Sequence, residues 1–372
     1  MAELVALMGP GGPEWVARLQ QVWDAGDAVL PVDPRLPAVA RDRLLEVVAP
    51  TSVVDESGRR TLRHQGREVE PGDALVMATS GTTGDPKGVV LTHAAVEASA
   101  RATTAHLGID PGHHRWLACL PLSHVGGLSV VTRALITGTP YEVHPGFDAA
   151  AVERAAGRGA THVSLVATAL RRIDPSLFTT IVLGGAAPPP DRPSNCVATY
   201  GMTETGSGVV YDGTPLAGVD LRVVDGQIHV RGPMLLRAYR DGSVPLDPDG
   251  WFRTGDLGEL DPATGRLTVH GRAGDLIITG GENVWPAPIE QAIASHPLVA
   301  EVAVVGRPDA EWGQRVVAVV VPVDVDEPPS LDDVRGWVKD RLPAFAAPRQ
   351  LVVVEALPTT SLGKVIRPLL AP

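Results

Sequence analysis

Ten residues in the first quarter of the chain read Thr79-Ser80-Gly81-Thr82-Thr83-Gly84-Asp85-Pro86-Lys87-Gly88. The three glycines let backbone N–H groups turn toward an anion. The hydroxyls of Ser80, Thr82 and Thr83 add further donors, and Lys87 adds a compact positive charge. The run therefore predicts a phosphate-binding loop, with a Gly/Thr-rich surface turn as the alternative.

This loop differs from two familiar nucleotide-binding loops. A Walker loop ends in Gly-Lys-Ser/Thr and opens a helix. Here Lys87 is followed by Gly88-Val89-Val90-Leu91, which is strand-like, and the glycine pattern of kinases is absent. Thr92 then predicts the N-cap of a helix that runs to about Ala105.

Lysine is rare in this chain, which contains only Lys87, Lys339 and Lys364. An ammonium is a compact point charge, whereas a guanidinium is a planar fork. A chain that otherwise uses arginine is therefore expected to need a point charge at Lys87 and Lys364. Chance retention of three lysines is the alternative.

Composition narrows the class of protein. The 372 residues predict two domains, and 44 % apolar residues suffice for real cores. A net charge of -11 without a basic run argues against nucleic acid and anionic membranes as partners. Cys119 and Cys196 form neither a disulfide framework nor a metal spacing, so we expect buried thiols and a cytoplasmic location. We see no signal peptide and no apolar span.

The order of predicted elements indicates an α/β protein. Helices and strands alternate as helix 148–157, strand 161–166, helix 167–173 and strand 180–184, which predicts a mostly parallel sheet covered by helices. Residues 14–50 predict short helices between prolines, and residues 221–230 predict a hairpin. We expect a large N-terminal domain of mixed sheets over residues 1–272 and a small α+β domain over 273–372.

Five motifs in order resemble the adenylate-forming superfamily of acyl-CoA synthetases, adenylation domains and luciferases, and together they cover roughly residues 74–367. They are the phosphate loop, Tyr200-Gly201-Met202-Thr203-Glu204-Thr205, Trp251-Phe252-Arg253-Thr254-Gly255-Asp256, Gly271-Arg272 with Gly280-Gly281-Glu282-Asn283-Val284, and the segment from Pro358 to Lys364. The resemblance implies the fold of the adenylate-forming enzymes, with a hinge between the two domains. Because the loop starts near residue 79, it also implies a shortened N-terminal region.

The resemblance implies a role for each motif. Lys364 would bridge the carboxylate and the α-phosphate in the transition state, Glu204 would hold Mg²⁺, and Thr83 would also be catalytic. For a lone acid such as Glu204 or Asp256, a solvated surface position is the alternative. The implied ATP- and AMP-binding residues are Thr79, Ser80, Gly81, Thr82, Gly84, Lys87, Gly185, Ala186, Tyr200, Gly201, Met202, Thr203, Asp256 (for the ribose) and Arg272. The implied CoA-side and hinge residues are Gly274, Gly280 and Gly281, with Gly274 standing where the family more often has Asp or Lys.

Further segments of the sequence resemble an acyl pocket and indicate the class of acid. Leu120-Pro121-Leu122-Ser123-His124-Val125-Gly126-Gly127-Leu128, Arg133 nine residues after His124, and the segment from Ser164 to Thr168 resemble o-succinylbenzoate–CoA ligases of menaquinone synthesis. The predicted substrate contacts are His124, Arg133, Ser164 and Thr168. That substrate keeps a ring carboxylate that needs a partner, and a charge-assisted bond to arginine supplies about 1.5–3 kcal/mol. The alternatives are a surface ion pair for Arg133, and a packed gate or a hydrogen-bonded core histidine for His124.

The predicted reaction converts o-succinylbenzoate, ATP and CoA into o-succinylbenzoyl-CoA, AMP and diphosphate through an acyl-adenylate, with Mg²⁺ as cofactor. A CoA ligase of other acyl or aryl specificity and a stand-alone adenylation enzyme remain alternatives within the class. A non-catalytic nucleotide-binding module is the alternative from another class. The sequence leaves the oligomeric state open, as monomer or homodimer.

Overall fold

The computed structural model describes residues 2–80, 86–189, 191–359 and 365–371. Packing divides the chain into two compact units. The first comprises Met1–Arg222, His229–Arg253 and Pro262–Leu267, and the second comprises Val223–Ile228, Thr254–Asp261 and Thr268–Pro372. The domain boundary predicted after Arg272 stays a prediction.

Strands and helices are numbered in chain order. The strands are β1 (Leu4–Met8), β2 (Ala28–Val32), β3 (Ser52–Val54), β4 (Arg60–Leu62), β5 (Asp73–Ser80), β6 (Pro86–Thr92), β7 (Trp116–Ala118), β8 (Tyr141–Val143), β9 (His162–Leu165), β10 (Thr180–Leu183), β11 (Cys196–Met202), β12 (Ser207–Tyr211), β13 (Thr214–Pro215), β14 (Asp220–Val224), β15 (Gln227–Arg231), β16 (Ala238–Tyr239), β17 (Phe252–Leu260), β18 (Leu267–Arg272), β19 (Ile277–Thr279), β20 (Glu282–Val284), β21 (Val299–Asp309), β22 (Gly313–Pro322) and β23 (Gln350–Val353). The helices are α1 (Pro13–Asp24), α2 (Ala38–Val48), α3 (His93–His106), α4 (Val125–Thr137), α5 (Ala149–Gly157), α6 (Ala167–Leu170), α7 (Pro286–Ala294) and α8 (Leu331–Lys339).

The first sheet carries the phosphate-loop hairpin. Its strand order is β16-β6-β5-β2-β1-β3-β4. β5 and β6 pair antiparallel, with Thr79 opposite Lys87, and β16 adds to the free edge of β6. The helices predicted within residues 14–50 form as α1 and α2, but the buried strand β2 lies between them. The prediction for this region was therefore wrong in part.

The second sheet has the order β13-β12-β11-β10-β9-β7-β8. Five of its strands, β7 to β11, are parallel. α5 begins where the Asp148 carboxylate accepts a hydrogen bond from the Ala151 amide at 2.8 Å, as expected of an N-cap. Val152 and Ala155 of α5 pack with Val163 and Ile181 of the sheet. The predicted parallel sheet covered by helices is confirmed.

A further sheet of four strands has the order β14-β15-β17-β18. The turn between β14 and β15 is Asp225-Gly226, with φ of 51° and 76°. Positive φ at both central residues is the geometry of a tight hairpin turn of type I′, so the predicted hairpin forms.

The C-terminal sheet has the order β20-β19-β22-β21, and β23 pairs parallel with β22. α7 starts at Pro286, and α8 is capped by Ser330, whose hydroxyl accepts a hydrogen bond from the Asp333 amide at 3.2 Å. Both helices pack on this sheet, since Ile289 and Val334 share one core with Val304 and Val316. Among the helices of the described residues, none is long and apolar enough to cross a bilayer.

Candidate active site

Four segments that carry predicted site residues lie at one edge of the second sheet. β7, β9, β10 and β11 are parallel neighbours, so their carboxyl ends lie side by side. In open α/β sheets, ligands bind at that edge. β7 leads to His124, β9 to Thr168, β10 to Gly185 and β11 to Glu204. Ser164 lies within β9 and is buried, whereas Thr168 and Ala186 are exposed.

Gly201 shapes the turn of the chain after Tyr200. The register of β11 against β12 shifts between these two residues, and such a bulge re-aims the side chains beside it. A Cβ on residue 201 would lie 2.2 Å from the Ser207 carbonyl oxygen, so only glycine fits. Tyr200 and Met202 are half-buried on the same strand.

Glu204 sits in a short 3₁₀ turn, Thr203–Thr205, directly after β11. The Thr205 hydroxyl accepts a hydrogen bond from the Met202 amide at 2.9 Å and donates to the Ser207 carbonyl oxygen at 2.6 Å. Gly206 ends the turn with φ of 68°. These bonds fix the backbone that presents the half-buried Glu204 side chain.

Glu204 suits Mg²⁺. Among the described residues, no group of three or more His, Cys, Asp or Glu side chains could form a cage around a metal. Mg²⁺ needs no such cage, because it keeps several waters and binds through one or two carboxylates plus nucleotide phosphates. One fixed carboxylate beside the phosphate-loop hairpin fits that chemistry.

The phosphate-loop hairpin is described only in part. Thr79 and Lys87 face each other across β5 and β6, and β5 ends at Ser80. Lys87 is exposed, as a phosphate-binding ammonium needs to be. The predicted residues Gly81, Thr82, Thr83 and Gly84 lie outside the described residues.

Tyr239 was not predicted, yet it contacts both charged residues of this region. Its hydroxyl donates to Glu204 Oε1 at 3.0 Å, and its ring centroid lies 5.1 Å from Lys87 Nζ. β16 brings it there by pairing with β6. No local sequence pattern marks this residue, because the contact depends on the register of a distant strand.

Arg133 is buried in α4, with a relative exposure of 2 %. Within the described residues, its Nε and Nη1 have no hydrogen-bond partner, and Nη2 reaches only the Ser207 hydroxyl at 3.5 Å. Burial lowers the pKa of the guanidinium, but arginine stays protonated in proteins. The alternative of a surface ion pair is wrong, since the side chain is not at the surface.

One aromatic ring contacts this cation without neutralising it. The Arg133 Cζ lies 4.9 Å from the ring centroid of Trp116, which is fully buried. Trp116 in turn packs against His162 at 5.3 Å. Burial, and then the charges of His114 and Arg133, lower the pKa of His162 to about 4. His162 is therefore neutral near pH 7 and adds no positive charge.

A small cavity adjoins Arg133. Its volume is about 10 Å³, room for one water molecule. The lining is mostly apolar and includes Leu75, Val96, Leu128, Arg133 and Gly206. Gly206 follows Glu204 by two residues, so the predicted acyl-pocket segment and the turn that carries Glu204 are adjacent. A cavity of this volume has no room for an aromatic ring.

His124 lies at the start of α4, beside a charged pair that was not predicted. Its Nε2 is 3.8 Å from Asp33 Oδ2, and Asp33 also accepts bonds from Arg35 Nε and Nη2 at 2.9 and 2.8 Å. Burial raises the pKa of Asp33, but the bonds from Arg35 outweigh it and hold that pKa below its ordinary value. Burial lowers the pKa of His124. The His124 ring therefore lies near the Asp33 carboxylate, whose charge Arg35 already offsets.

In the second unit, Arg272 forms an ion pair with the buried carboxylate of Asp256. Arg272 Nε lies 3.0 Å from Asp256 Oδ1, and Arg272 Nη1 donates to the Thr254 carbonyl oxygen at 2.8 Å. Gly255, with φ of 75°, leaves space for that guanidinium, since a Cβ there would lie 3.3 Å from Nη1. The solvated surface acid is wrong for Asp256, because it is 6 % exposed.

The predicted CoA-side glycines occupy two different settings. Gly280 and Gly281 form the two-residue turn between β19 and β20, with φ of 60° and 84°, and a Cβ on Gly280 would lie 2.7 Å from the Trp312 ring. Gly274 lies in the 3₁₀ turn Ala273–Asp275, where a Cβ would meet nothing within 4 Å. The predicted Lys364 lies outside the described residues, and Thr359 and Val365 on its two sides form an isolated antiparallel bridge.

Gly274→Pro is expected to slow thioester formation on the order of tenfold while adenylate formation persists. Proline fixes φ and excludes the helical region for Ala273, which restricts rotation at the predicted hinge. Each half-reaction is measured separately, by pyrophosphate exchange and by CoA-dependent AMP release from preformed adenylate. Gly274→Ala is the control, because open space there accommodates a methyl group. A proline variant that is fully active in both half-reactions would place the pivot elsewhere.

Comparison with known proteins identifies the family. The family model described as AMP-binding enzyme matches residues 55–240, and the AMP-binding enzyme C-terminal domain matches residues 288–364. The chain belongs to the AMP-binding enzyme family. The predicted membership of the adenylate-forming superfamily and its α/β fold are thereby confirmed.

Relatives within this family share most of the chain. A probable 2-succinylbenzoate–CoA ligase of Mycobacterium tuberculosis is 43 % identical over 330 residues, which cover 81 % of this chain and 85 % of that one. The o-succinylbenzoate CoA synthetase of Bacillus subtilis, solved with its acyl-adenylate intermediate, is 29 % identical with a TM-score of 0.88, covering 100 % of this chain and 88 % of that one. The same Bacillus enzyme in complex with ATP and magnesium is 28 % identical with a TM-score of 0.86, covering 98 % and 88 %.

Proposed function

We propose that this AMP-binding enzyme is an ATP-dependent o-succinylbenzoate–CoA ligase. It converts o-succinylbenzoate, ATP and CoA into o-succinylbenzoyl-CoA, AMP and diphosphate, a step of menaquinone synthesis. The observation that supports o-succinylbenzoate as the substrate is the buried Arg133, which has N–H donors without a partner in the described structure. The names of the relatives support the same substrate.

The chemistry of the substrate matches the pocket. Leaving a buried donor unsatisfied costs about 1–3 kcal/mol, and more for a charged group. The ring carboxylate of o-succinylbenzoate is not activated and remains an anion, so it can accept from Arg133. A fatty acid brings no second anion and would leave the guanidinium without an anionic partner in a mostly apolar lining. The apolar side chains that line the cavity would pack against the aromatic ring once side chains of α3 and α4 move to admit it.

The reaction proceeds in two displacements. An oxygen of the aliphatic carboxylate attacks the α-phosphorus of ATP, and the bond from that phosphorus to diphosphate breaks. The CoA sulfur, after losing its proton, then attacks the acyl carbon, and the bond to AMP breaks. Lys364 offsets the charge that develops between carboxylate and α-phosphate, Asp256 accepts from the ribose hydroxyls, and Glu204 binds Mg²⁺. When bound, the magnesium ion offsets negative charge on the phosphate oxygens.

Other predicted properties are part of this proposal. The partners are the carboxylic acid, ATP and CoA, all small molecules. Cys119 and Cys196 are buried free thiols, as expected, and they suit a reducing compartment, so we place the enzyme in the cytoplasm. His124, Ser164 and Thr168 do not line the cavity beside Arg133, and we propose that they contact the part of the acid that lies outside it.

A carboxylate panel in a pyrophosphate-exchange assay tests the proposal. We expect o-succinylbenzoate to support exchange best, and CoA addition to release AMP and the thioester. The comparison acids are the analogue lacking the ring carboxylate, benzoate and medium-chain fatty acids. Faster turnover of a fatty acid would contradict the proposed substrate, while exchange without any release of AMP and thioester on CoA addition would indicate a carrier-protein adenylation enzyme. Absence of exchange with every acid would indicate a non-catalytic nucleotide-binding module.

A further inference from the structure

We propose that Tyr239 is a positioning residue that sets Glu204 and Lys87 for binding of the metal–nucleotide complex. The inference rests on the proposed function only in that the enzyme uses ATP with Mg²⁺; it does not depend on the acyl substrate. Tyr239 belongs to none of the predicted motifs and lies 35 residues after Glu204 in the chain.

Tyr239 makes two different contacts with two opposite charges. Its hydroxyl donates a hydrogen bond to Glu204 Oε1 at 3.0 Å. Its ring face lies 5.1 Å from the Lys87 ammonium, a distance typical of a cation–π interaction. One neutral side chain therefore holds an anion through its edge and a cation through its face.

A neutral residue is suited to this task because it leaves both charges in place. Each group keeps its full charge for the ligand, the carboxylate for a metal ion and the ammonium for a phosphate. The bond to Oε1 also leaves Oε2 and further lone pairs of Glu204 as acceptors. Hydrogen bonds to a ligating carboxylate from outside the metal's own shell orient it and change metal affinity about 10- to 100-fold.

The backbone around Tyr239 is fixed by β6. Tyr239 pairs with Val89 and Ala238 with Val90. The Arg240 amide donates to the Gly88 carbonyl oxygen at 2.7 Å, and the Arg237 amide to that of Val90 at 2.9 Å. Because Lys87 precedes these residues on the same strand, the pairing sets the ring of Tyr239 beside it.

Two arginines anchor the segment on either side of Tyr239. Arg237 donates from Nε and Nη2 to the two oxygens of the buried Asp73, both at 2.9 Å. Arg240 donates to backbone carbonyl oxygens of Val48 at 3.0 Å and Glu68 at 2.7 Å. A strand of only two residues thus gains the rigidity that positioning requires.

Tyr239→Phe tests the hydroxyl alone, because it retains the ring beside Lys87. ATP binding is measured by calorimetry without any carboxylic acid, once with Mg²⁺ and once with EDTA. In the wild type we expect Mg²⁺ to raise ATP affinity. In Tyr239→Phe we expect that gain to fall about tenfold, while metal-free ATP affinity stays within about twofold of the wild type. Tyr141→Phe, which removes a phenol from β8, is the matched control and should change neither value.

Two further variants separate the contacts. Tyr239→Leu removes the ring as well, so metal-free ATP affinity should also fall. Glu204→Gln should lose the magnesium-dependent gain, and adding Tyr239→Phe to it should have no further effect, which a double-mutant cycle measures. An unchanged magnesium-dependent gain in Tyr239→Phe would overturn the proposal, as would equal losses with and without Mg²⁺. Failure of the proposed substrate would appear only in the carboxylate panel, because no acid enters these measurements.

Discussion

Lys364→Ala is expected to slow adenylate formation by about 10²–10³-fold or more, as removal of an oriented electrostatic stabiliser does. Two anions, the carboxylate and the α-phosphate, approach each other in this step, and a point charge between them offsets their repulsion. The family match extends to Lys364. The measurement is single-turnover formation of acyl-adenylate from ATP and o-succinylbenzoate.

The same variant should retain most of its thioester formation from preformed acyl-adenylate. Lys364 would leave the reacting atoms when the C-terminal domain rotates for the second step. Lys339→Ala is the matched control, since Lys339 lies at the end of α8 and carries no predicted role. Equal losses in both half-reactions would contradict this division of labour.

Arg133→Ala is expected to raise KM for o-succinylbenzoate about 10- to 100-fold, because it removes a charge-assisted hydrogen bond of about 1.5–3 kcal/mol. Arg133→Met keeps more of the buried volume and should show the same loss, which excludes a cavity effect. Arg133→Lys should also be impaired if the contact is bidentate. Steady-state kinetics with purified enzyme supplies the values.

The substrate provides the decisive control for Arg133. With the analogue that lacks the ring carboxylate, the KM values of wild type and Arg133→Ala should differ much less. A double-mutant-style cycle of enzyme and substrate truncations isolates the interaction energy between Arg133 and the ring carboxylate. Arg101→Ala, which removes an exposed arginine paired with Glu97 on α3, should behave as wild type with both acids. A loss of equal size with both acids would show that Arg133 only supports packing.

The parallel sheet was predictable because its signals are local. The alternation of residues 148–184 gives helix and strand directly, and parallel strands necessarily place the segments after them at one edge. His124, Gly185 and Glu204 come together for that reason. The roles of the motif residues themselves remain predictions that the mutants above test.

The N-terminal strands escaped prediction for a different reason. Ala28–Val32 is a short apolar run with a proline at its fourth position, and proline lowers strand propensity. β2 pairs in parallel with β1 along its full length, whereas its pairing with β5 is limited to Val29 opposite Leu75. The strand therefore forms through its pairing with β1. Tertiary burial outweighs local preference here.

Tyr239 and Asp33 could not have been predicted from local patterns. Tyr239 reaches Glu204 only because a two-residue strand aligns with Val89 and Val90. Asp33 reaches His124 from a distant part of the sequence, since one follows β2 and the other precedes α4. Contacts of this kind depend on register and distance in space, which spacing along the chain does not encode.

The anchoring of β16 has a consequence for the order of events during synthesis. Arg237 binds Asp73 across a separation of 164 residues. The hairpin that carries the phosphate loop therefore leaves the ribosome long before β16 and its two arginines are synthesised. At about 5–20 residues per second, the synthesis of these 164 residues takes roughly 8 to 33 s. During this time one edge of β6 is unpaired, and exposed strand edges are sites of aggregation. The nascent chain is therefore most in need of chaperone protection between the synthesis of β6 and that of β16.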